Sequence, residues 1–277
     1  MAQKSDKHVV LIGHGNMGRA MLSGWLETNT GMTFTVVDPA LSDQDKLNLQ
    51  HKGVMPRLDL QDLDITPDIA VLAVKPQMME KIGTDLSQHL IPGRSCVLSI
   101  AAGCTISGFE SLFGENMAVI RAMPNTPAAI GAGVVIATAN QNVLPEHKVM
   151  TEKLLKPLGF FDWLEKEMDI DAVTAISGSG PAYVFYFLEA LSEAGQALGL
   201  QKDLSKKLAL ETVKGAAELA IHEQETEFSS LRKNVTSPGG TTEAALNVLT
   251  QKDILKDLVL DTAKAAKKRS EELSGQS

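Results

Sequence analysis

The stretch Val9-Val10-Leu11-Ile12-Gly13-His14-Gly15-Asn16-Met17-Gly18 decides the fold. Val9 to Ile12 is a short, continuous apolar run rich in β-branched side chains, the pattern of a strand buried on both faces of a parallel sheet. Gly13 closes the run, and Gly13, Gly15 and Gly18 stand in G-x-G-x-x-G spacing. Beyond them Met17, Ala20, Met21, Gly24 and Trp25 recur at helical spacing and predict one buried helix face. The glycine spacing means little alone; between a strand and a helix it signals dinucleotide binding. Gly13 permits the tight turn, Gly15 lets backbone approach a pyrophosphate, and Gly18 lets helix pack closely on strand. The free N–H groups and dipole of the helix start then hold the phosphate charge. Phe34 to Val37 read as a second strand, and Asp38 lies 20 residues beyond Gly18, where an acid binds a ribose hydroxyl.

Outward from this unit the alternation continues. A polar helix over Ser42 to Lys52 is followed by a strand from Ile69 to Val74 and a helix after Lys75 and Pro76. Then come strand Cys96 to Ile100, helix Thr105 to Phe113 and strand Ala118 to Arg121. Strand Gly133 to Thr138, helix Pro145 to Leu155 and strand Gly159 to Trp163 complete the series. Strands alternating with helices predict an α/β fold, a Rossmann-type doubly wound parallel sheet. Ligands of such sheets bind beyond the carboxyl ends of the strands. Three successive strand ends carry small or turn residues: Ala73-Val74-Lys75-Pro76, Ala101-Ala102-Gly103 and Met123 to Pro127. Together they read as one cleft wall, although a strand-end lysine taken alone is more often a solvated charge.

After about Asp162 the texture becomes helical throughout, which divides the chain into a dinucleotide-binding domain, 1–162, and an all-helical domain, 163–277. Pro181 stands at a helix start, where its missing N–H is tolerated. Tyr183 to Leu188 is apolar on every side, and Ile254, Leu255, Leu258, Val259 and Ala266 form a stripe on the last helix. A helix so apolar is buried all round. One small domain covers it poorly, so the second half is expected to dimerise.

Composition narrows the partners. The 277 residues hold 26 Lys plus Arg against 34 Asp plus Glu, a formal charge of −8, with 44 % hydrophobic and 4 % aromatic residues. An acidic chain with few stacking platforms is not built for nucleic acid. Cys96 and Cys104 are the only cysteines and the six histidines are scattered, so neither a disulfide framework nor a metal site is expected. No run approaches the ~18 apolar residues of a membrane helix, and the apolar run after Lys4 and Lys7 is too short for a signal peptide. The expected location is the cytoplasm. G-x-S-x-G and the P-loop are both absent, which argues against a hydrolase and against nucleotide hydrolysis.

One motif lies deep in the helical half: Asn234-Val-Thr-Ser-Pro-Gly-Gly-Thr-Thr-Glu-Ala-Ala-Leu246. A Ser-Pro-Gly-Gly loop entering a helix at Thr241 and Thr242 offers backbone N–H groups and hydroxyls suited to a small carboxylate. The same residues also read as an ordinary N-cap, with Glu243 adding favourable charge.

These segments resemble the Δ1-pyrroline-5-carboxylate reductase family over almost the whole chain. The resemblance rests on IGHGNMG, AVKP, SIAAG, MPNTP, SGSGPAY and, most specifically, VTSPGGTTEAAL. It implies hydride transfer from NADPH or NADH to the C=N carbon of pyrroline-5-carboxylate, giving L-proline in the last step of proline biosynthesis. It implies that Val235, Ser237, Gly240, Thr241 and Thr242 bind the substrate, with Thr242 beside the ring nitrogen and Glu225 the matching acidic position. Asn234 would sit by the nicotinamide. Gly13, His14, Gly15, Asn16, Met17, Gly18, Asp38, Ala73, Val74, Lys75, Pro76 and Ala102 would hold the cofactor. The family unit is a homodimer, often assembled into a ring of dimers. Asp38 departs from the small or basic residue that many members carry there, which puts cofactor preference in doubt. A β-hydroxyacid dehydrogenase is the nearest other enzyme class, but no lysine of the helical half stands in its K-x-x-N-N motif. An inactive dinucleotide sensor is the remaining alternative, against which the intact SPGGTT loop speaks.

Overall fold

The computed structural model describes residues 7–28 and 30–275; Lys4 lies outside the described residues. The chain forms two compact units, one made of the chain up to Gly178 with the segment from Ala266, the other Ser179–Ala265.

The first unit runs β1 (Lys7–Ile12), α1 (Asn16–Glu27), β2 (Met32–Val37), α2 (Asp43–His51), β3 (Met55–Arg57), β4 (Ile69–Leu72) and α3 (Met79–Ser87). It continues β5 (Cys96–Ser99), α4 (Ile106–Phe113), β6 (Ala118–Met123), β7 (Gly133–Ala139), α5 (Pro145–Leu155), β8 (Gly159–Trp163) and α6 (Ile170–Val173). Among the described residues these strands make one sheet in the order β3-β2-β1-β4-β5-β6-β7-β8. The first six strands thus follow the order of dinucleotide-binding sheets.

Every β1 side chain from Val9 to Ile12 is at most 3 % exposed, as a parallel strand covered on both faces requires. Alternation sends Val9 and Leu11 into a core with Met21, Leu22, Trp25 and Phe34. Val10 and Ile12 enter the opposite core with Leu86, Val97 and Phe109. Trp25 stacks on Phe34 with ring centroids 5.4 Å apart, and its indole N–H donates to the Leu154 carbonyl at 2.6 Å. That bond ties α1 to α5 and satisfies the one polar atom the indole buries.

Three expectations need correction. The sheet is not parallel throughout, because β6 and β7 pair antiparallel. Only residues 124–132 join them, fewer than the dozen or so a parallel crossover needs. The three-residue β3, with Pro56 at its centre, is an added edge strand; so short a run carries no readable period, and an edge tolerates the proline. The buried face of α1 is Gly18, Met21, Leu22 and Trp25, while Met17, Ala20 and Gly24 of the expected stripe are only half-buried.

The second unit contains α7 (Gly180–Ala197), α8 (Lys202–His222), α9 (Phe228–Asn234), α10 (Thr241–Leu249) and the first part of α11 (Ile254–Leu273). Pro181 stands in the first turn of α7, as expected. The segment Tyr183 to Leu188 is not buried all round in the single chain: Val184, Phe185, Tyr186 and Phe187 are 45–73 % exposed. On α11, Ile254, Leu255, Leu258 and Val259 are 43–63 % exposed. Contiguous apolar surface of this kind marks an interaction face. Among the described residues no helix is long and apolar enough to cross a membrane, and no three His, Cys, Asp or Glu side chains gather as a metal site.

Candidate active site

The glycine loop is shaped by contacts that exclude side chains. Gly13 has φ +99°, and a Cβ there would stand 2.5 Å from the Ala73 carbonyl oxygen. A Cβ on Gly18 would collide with the Gly13 carbonyl, so the helix can approach the loop only without one. A Cβ on Gly15 would meet nothing. Gly15 is therefore free of any packing demand, and its backbone faces open space. It is the N-cap of α1, whose first turn has neither a side-chain cap nor an acidic residue. The first N–H groups of α1 are left for an anion.

A cleft of about 480 Å³ opens here at the carboxyl ends of β1, β2 and β4. Gly13, Gly15, Asp38, Ala73, Val74 and Lys75 line it, so six of the expected cofactor residues come together. β4 stops at Leu72, two residues before the expected end, which places Ala73 and Val74 in the loop facing this cleft. Pro76 starts the 3-10 turn after Lys75, Asn16 and Met17 open α1, and Ala102 is exposed in the loop after β5. Residues the sequence reading missed form the outer wall: Leu58, Asp59 and Leu60 after β3, and Met78, Lys81, Ile82 and Asp85 around α3. No motif marks them, since they arrive through β3 and the exposed face of α3.

Asp38 is already engaged. Its Oδ2 accepts the His14 backbone N–H at 2.6 Å and its Oδ1 accepts that of Ala40 at 2.8 Å. The carboxylate thus fixes the glycine loop to the end of β2, with one lone pair per oxygen left over. The His14 carbonyl in turn accepts from Arg19 Nε at 2.9 Å. Burial holds the His14 imidazole below its usual pKa, Arg19 adding to the push, and its Nδ1 is buried without a partner.

The other expected residues lie in the second unit. Asn234 ends α9 and Val235 is its C-cap. Ser237 and Gly240 belong to the loop before α10, Gly240 being the N-cap, with Thr241 and Thr242 in the first turn. The capping alternative does not hold: no side chain caps α10. Glu243 turns back instead, its Oε2 accepting the Gly239 N–H at 2.7 Å. Ser237, Gly240, Thr241 and Thr242 are brought into one turn, whereas Glu225 belongs to another, between α8 and α9. The MPNTP segment also has a structural part. Asn125 Nδ2 donates to the Ser177 carbonyl at 2.9 Å, and its Oδ1 accepts the Val134 N–H at 2.8 Å.

A glycine loop of this geometry, at the carboxyl edge of such a sheet, defines a dinucleotide-binding protein of the Rossmann class. Residues 8–103 match a family model described as NADP oxidoreductase, coenzyme F420-dependent, and residues 167–273 match one described as pyrroline-5-carboxylate reductase dimerisation. A pyrroline-5-carboxylate reductase of Pseudomonas aeruginosa is 36 % identical over 273 residues, covering 98 % of each chain. The chain belongs to the pyrroline-5-carboxylate reductase family. Its fold matches that of a pyrroline-5-carboxylate reductase from Coxiella burnetii with TM-score 0.88 at 36 % identity, over 96 % of this chain and 98 % of the other. The pyrroline carboxylate reductase of Plasmodium falciparum, solved with NADP bound, gives 0.82 at 29 % identity over 98 % of each chain.

Proposed function

We infer that this chain reduces Δ1-pyrroline-5-carboxylate to L-proline with NADPH or NADH, the last step of proline biosynthesis. The observation that carries the substrate end is the start of α10, where Ser237, Thr241 and Thr242 flank first-turn N–H groups that no side chain caps. A small carboxylate satisfies those donors. The cleft fits the cofactor: Gly15 leaves open space above an uncapped helix start, and Gly13 and Gly18 keep that start close. A bound reduced nicotinamide supplies the hydride. The protein's share is alignment. Ser237, Gly240 and Thr241 hold the carboxylate and Thr242 offers its hydroxyl to the ring nitrogen, while Glu225, in a separate turn of the single chain, is the matching acidic position. Val235 borders the substrate, and Asn234 sits beside the nicotinamide. Such positioning removes much of the entropic part of the barrier. The test is NAD(P)H oxidation followed spectrophotometrically with pyrroline-5-carboxylate as the substrate. No imine-dependent oxidation by the folded protein refutes the reading and leaves the sensor alternative.

The working unit is a homodimer, or a ring of dimers, formed through the apolar faces of α7 and α11, a reading that the dimerisation model over residues 167–273 supports. Location in the cytoplasm is proposed from the two free cysteines, Cys96 buried and Cys104 half-buried.

Asp38 governs the choice of cofactor. A ribose hydroxyl can use its spare lone pairs, whereas a 2′-phosphate meets a second negative charge. Two cations nearby in sequence are engaged elsewhere, whereas Lys75 and Lys81 line the cleft itself and offset part of that repulsion. Arg57 donates to the Asp62 and Pro56 carbonyls, and Lys46 pairs with Asp43 at 2.7 Å. Asp38→Ser removes the charge and frees the His14 and Ala40 N–H groups for phosphate. The kcat/KM ratio is expected to move toward NADPH by about tenfold or more, roughly 1.4 kcal/mol. An unchanged ratio assigns Asp38 to loop geometry alone.

A further inference from the structure

The loop Ala101-Ala102-Gly103 leaves β5 at the same sheet edge as the glycine loop, because β1, β4 and β5 run parallel. Two groups from outside the alternating pattern flank it. On one side Glu167 Oε1 accepts both the Ile106 N–H and Arg121 Nη1, each at 2.8 Å, fixing the start of α4 against β6. Arg121 is 4 % exposed, so this ion pair is largely shielded from water. On the other side stands the end of α11, which clusters with the nucleotide-binding unit from Ala266 onward. Gly103 has φ +77°, and a Cβ there would lie 3.0 Å from the Leu273 carbonyl oxygen. The end of α11 is in turn fastened where Ser270 donates its hydroxyl to Asp171. Asp171 is 2 % and Ser270 7 % exposed, so the bond is buried at both ends. Deleting the donor would strand a buried carboxylate.

We propose that the last turns of α11 act as a strap that presets the Ala101–Gly103 loop for the dinucleotide, with Ser270 and Asp171 as positioning residues. The proposal rests on the cofactor reading above and adds to it a part for a helix that begins in the other unit. A loop held in its bound conformation spares the cofactor the cost of ordering it. Ser270 touches no reacting atom, so its effect falls on cofactor affinity and not on the chemical step.

The experiment measures Kd for NADPH and NADH by cofactor fluorescence, steady-state kinetics, and amide hydrogen exchange in full-length protein. Ser270→Ala is expected to raise both Kd values about tenfold, the order expected when about one residue must be reordered on binding. Exchange should quicken at residues 101–105, while kcat at saturating cofactor and KM for the imine stay within twofold. Asp171→Asn keeps an acceptor for the Ser270 hydroxyl and should bind the cofactors like the unaltered protein. A chain ending after Glu272 removes the Leu273 carbonyl, leaves the Ser270–Asp171 bond, and should repeat the Ser270→Ala pattern; it also serves if Ser270→Ala fails to fold. Unchanged Kd and unchanged exchange at 101–105 in a folded variant overturn the strap. If the unaltered protein binds neither cofactor, the functional reading fails, while the exchange data still report on the strap.

Discussion

Thr242→Ala is expected to lower kcat about 10²-fold and to raise KM for the imine. A hydroxyl aligned with a nitrogen that gains electron density contributes about that much when it donates a proton or a strengthening hydrogen bond. The fold isolates this effect. Thr242 stands in the first turn of α10, half-buried, and caps nothing, so alanine removes no bond that holds the helix. The Gly239 to Glu243 bond that shapes the turn does not involve it. The melting temperature should therefore stay within a few degrees while activity falls. Thr242→Ser retains the hydroxyl and should keep kcat within tenfold. If alanine changes KM alone, Thr242 binds the carboxylate and the proton reaches the ring nitrogen by another route.

The parts of this molecule that the sequence displayed are those in which a residue type has one physical use. Val9 to Ile12, β-branched and closed by a glycine, reads as a doubly covered strand and is one, and each glycine of the following loop stands where the structure excludes, or does not need, a side chain. Direction was less legible. The β7 segment reads like its parallel neighbours because a strand's composition reflects burial, and its reversal is set by the length of the loop before it. β3 is illegible because three residues display no period, and so is the Leu58–Leu60 wall of the cleft that follows it. The partners of side chains were least legible. The distance from Gly18 marks Asp38, but the backbone donors of His14 and Ala40 that occupy it are a product of loop geometry. Asp171 and Ser270 lie 99 residues apart, and nothing local in the sequence pairs them.

Phe185→Glu and Phe187→Glu should each convert the assembled protein to monomers with little activity. The two rings are 63 % and 52 % exposed in the single chain, beside Val184 and Tyr186, which are 45 % and 73 % exposed. Covering such a ring stabilises by about 1.5–3 kcal/mol, and a carboxylate in its place adds a desolvation cost of a further few kcal/mol. In a two-fold dimer each substitution occurs twice across an isologous interface, so the losses double. Even about 3 kcal/mol per site then comes to about 6 kcal/mol, or a dimer Kd weaker by roughly 10⁴-fold. The nucleotide-binding unit has its own buried cores and includes neither residue, so its fold and its cofactor affinity should survive. Light scattering and NADH fluorescence on the same sample read the two properties separately. A monomer that binds cofactor but no longer reduces the imine would place the requirement for dimerisation at the substrate end. A fully active monomer, in the unaltered protein or in either variant, would refute the assignment of α7 to the dimer.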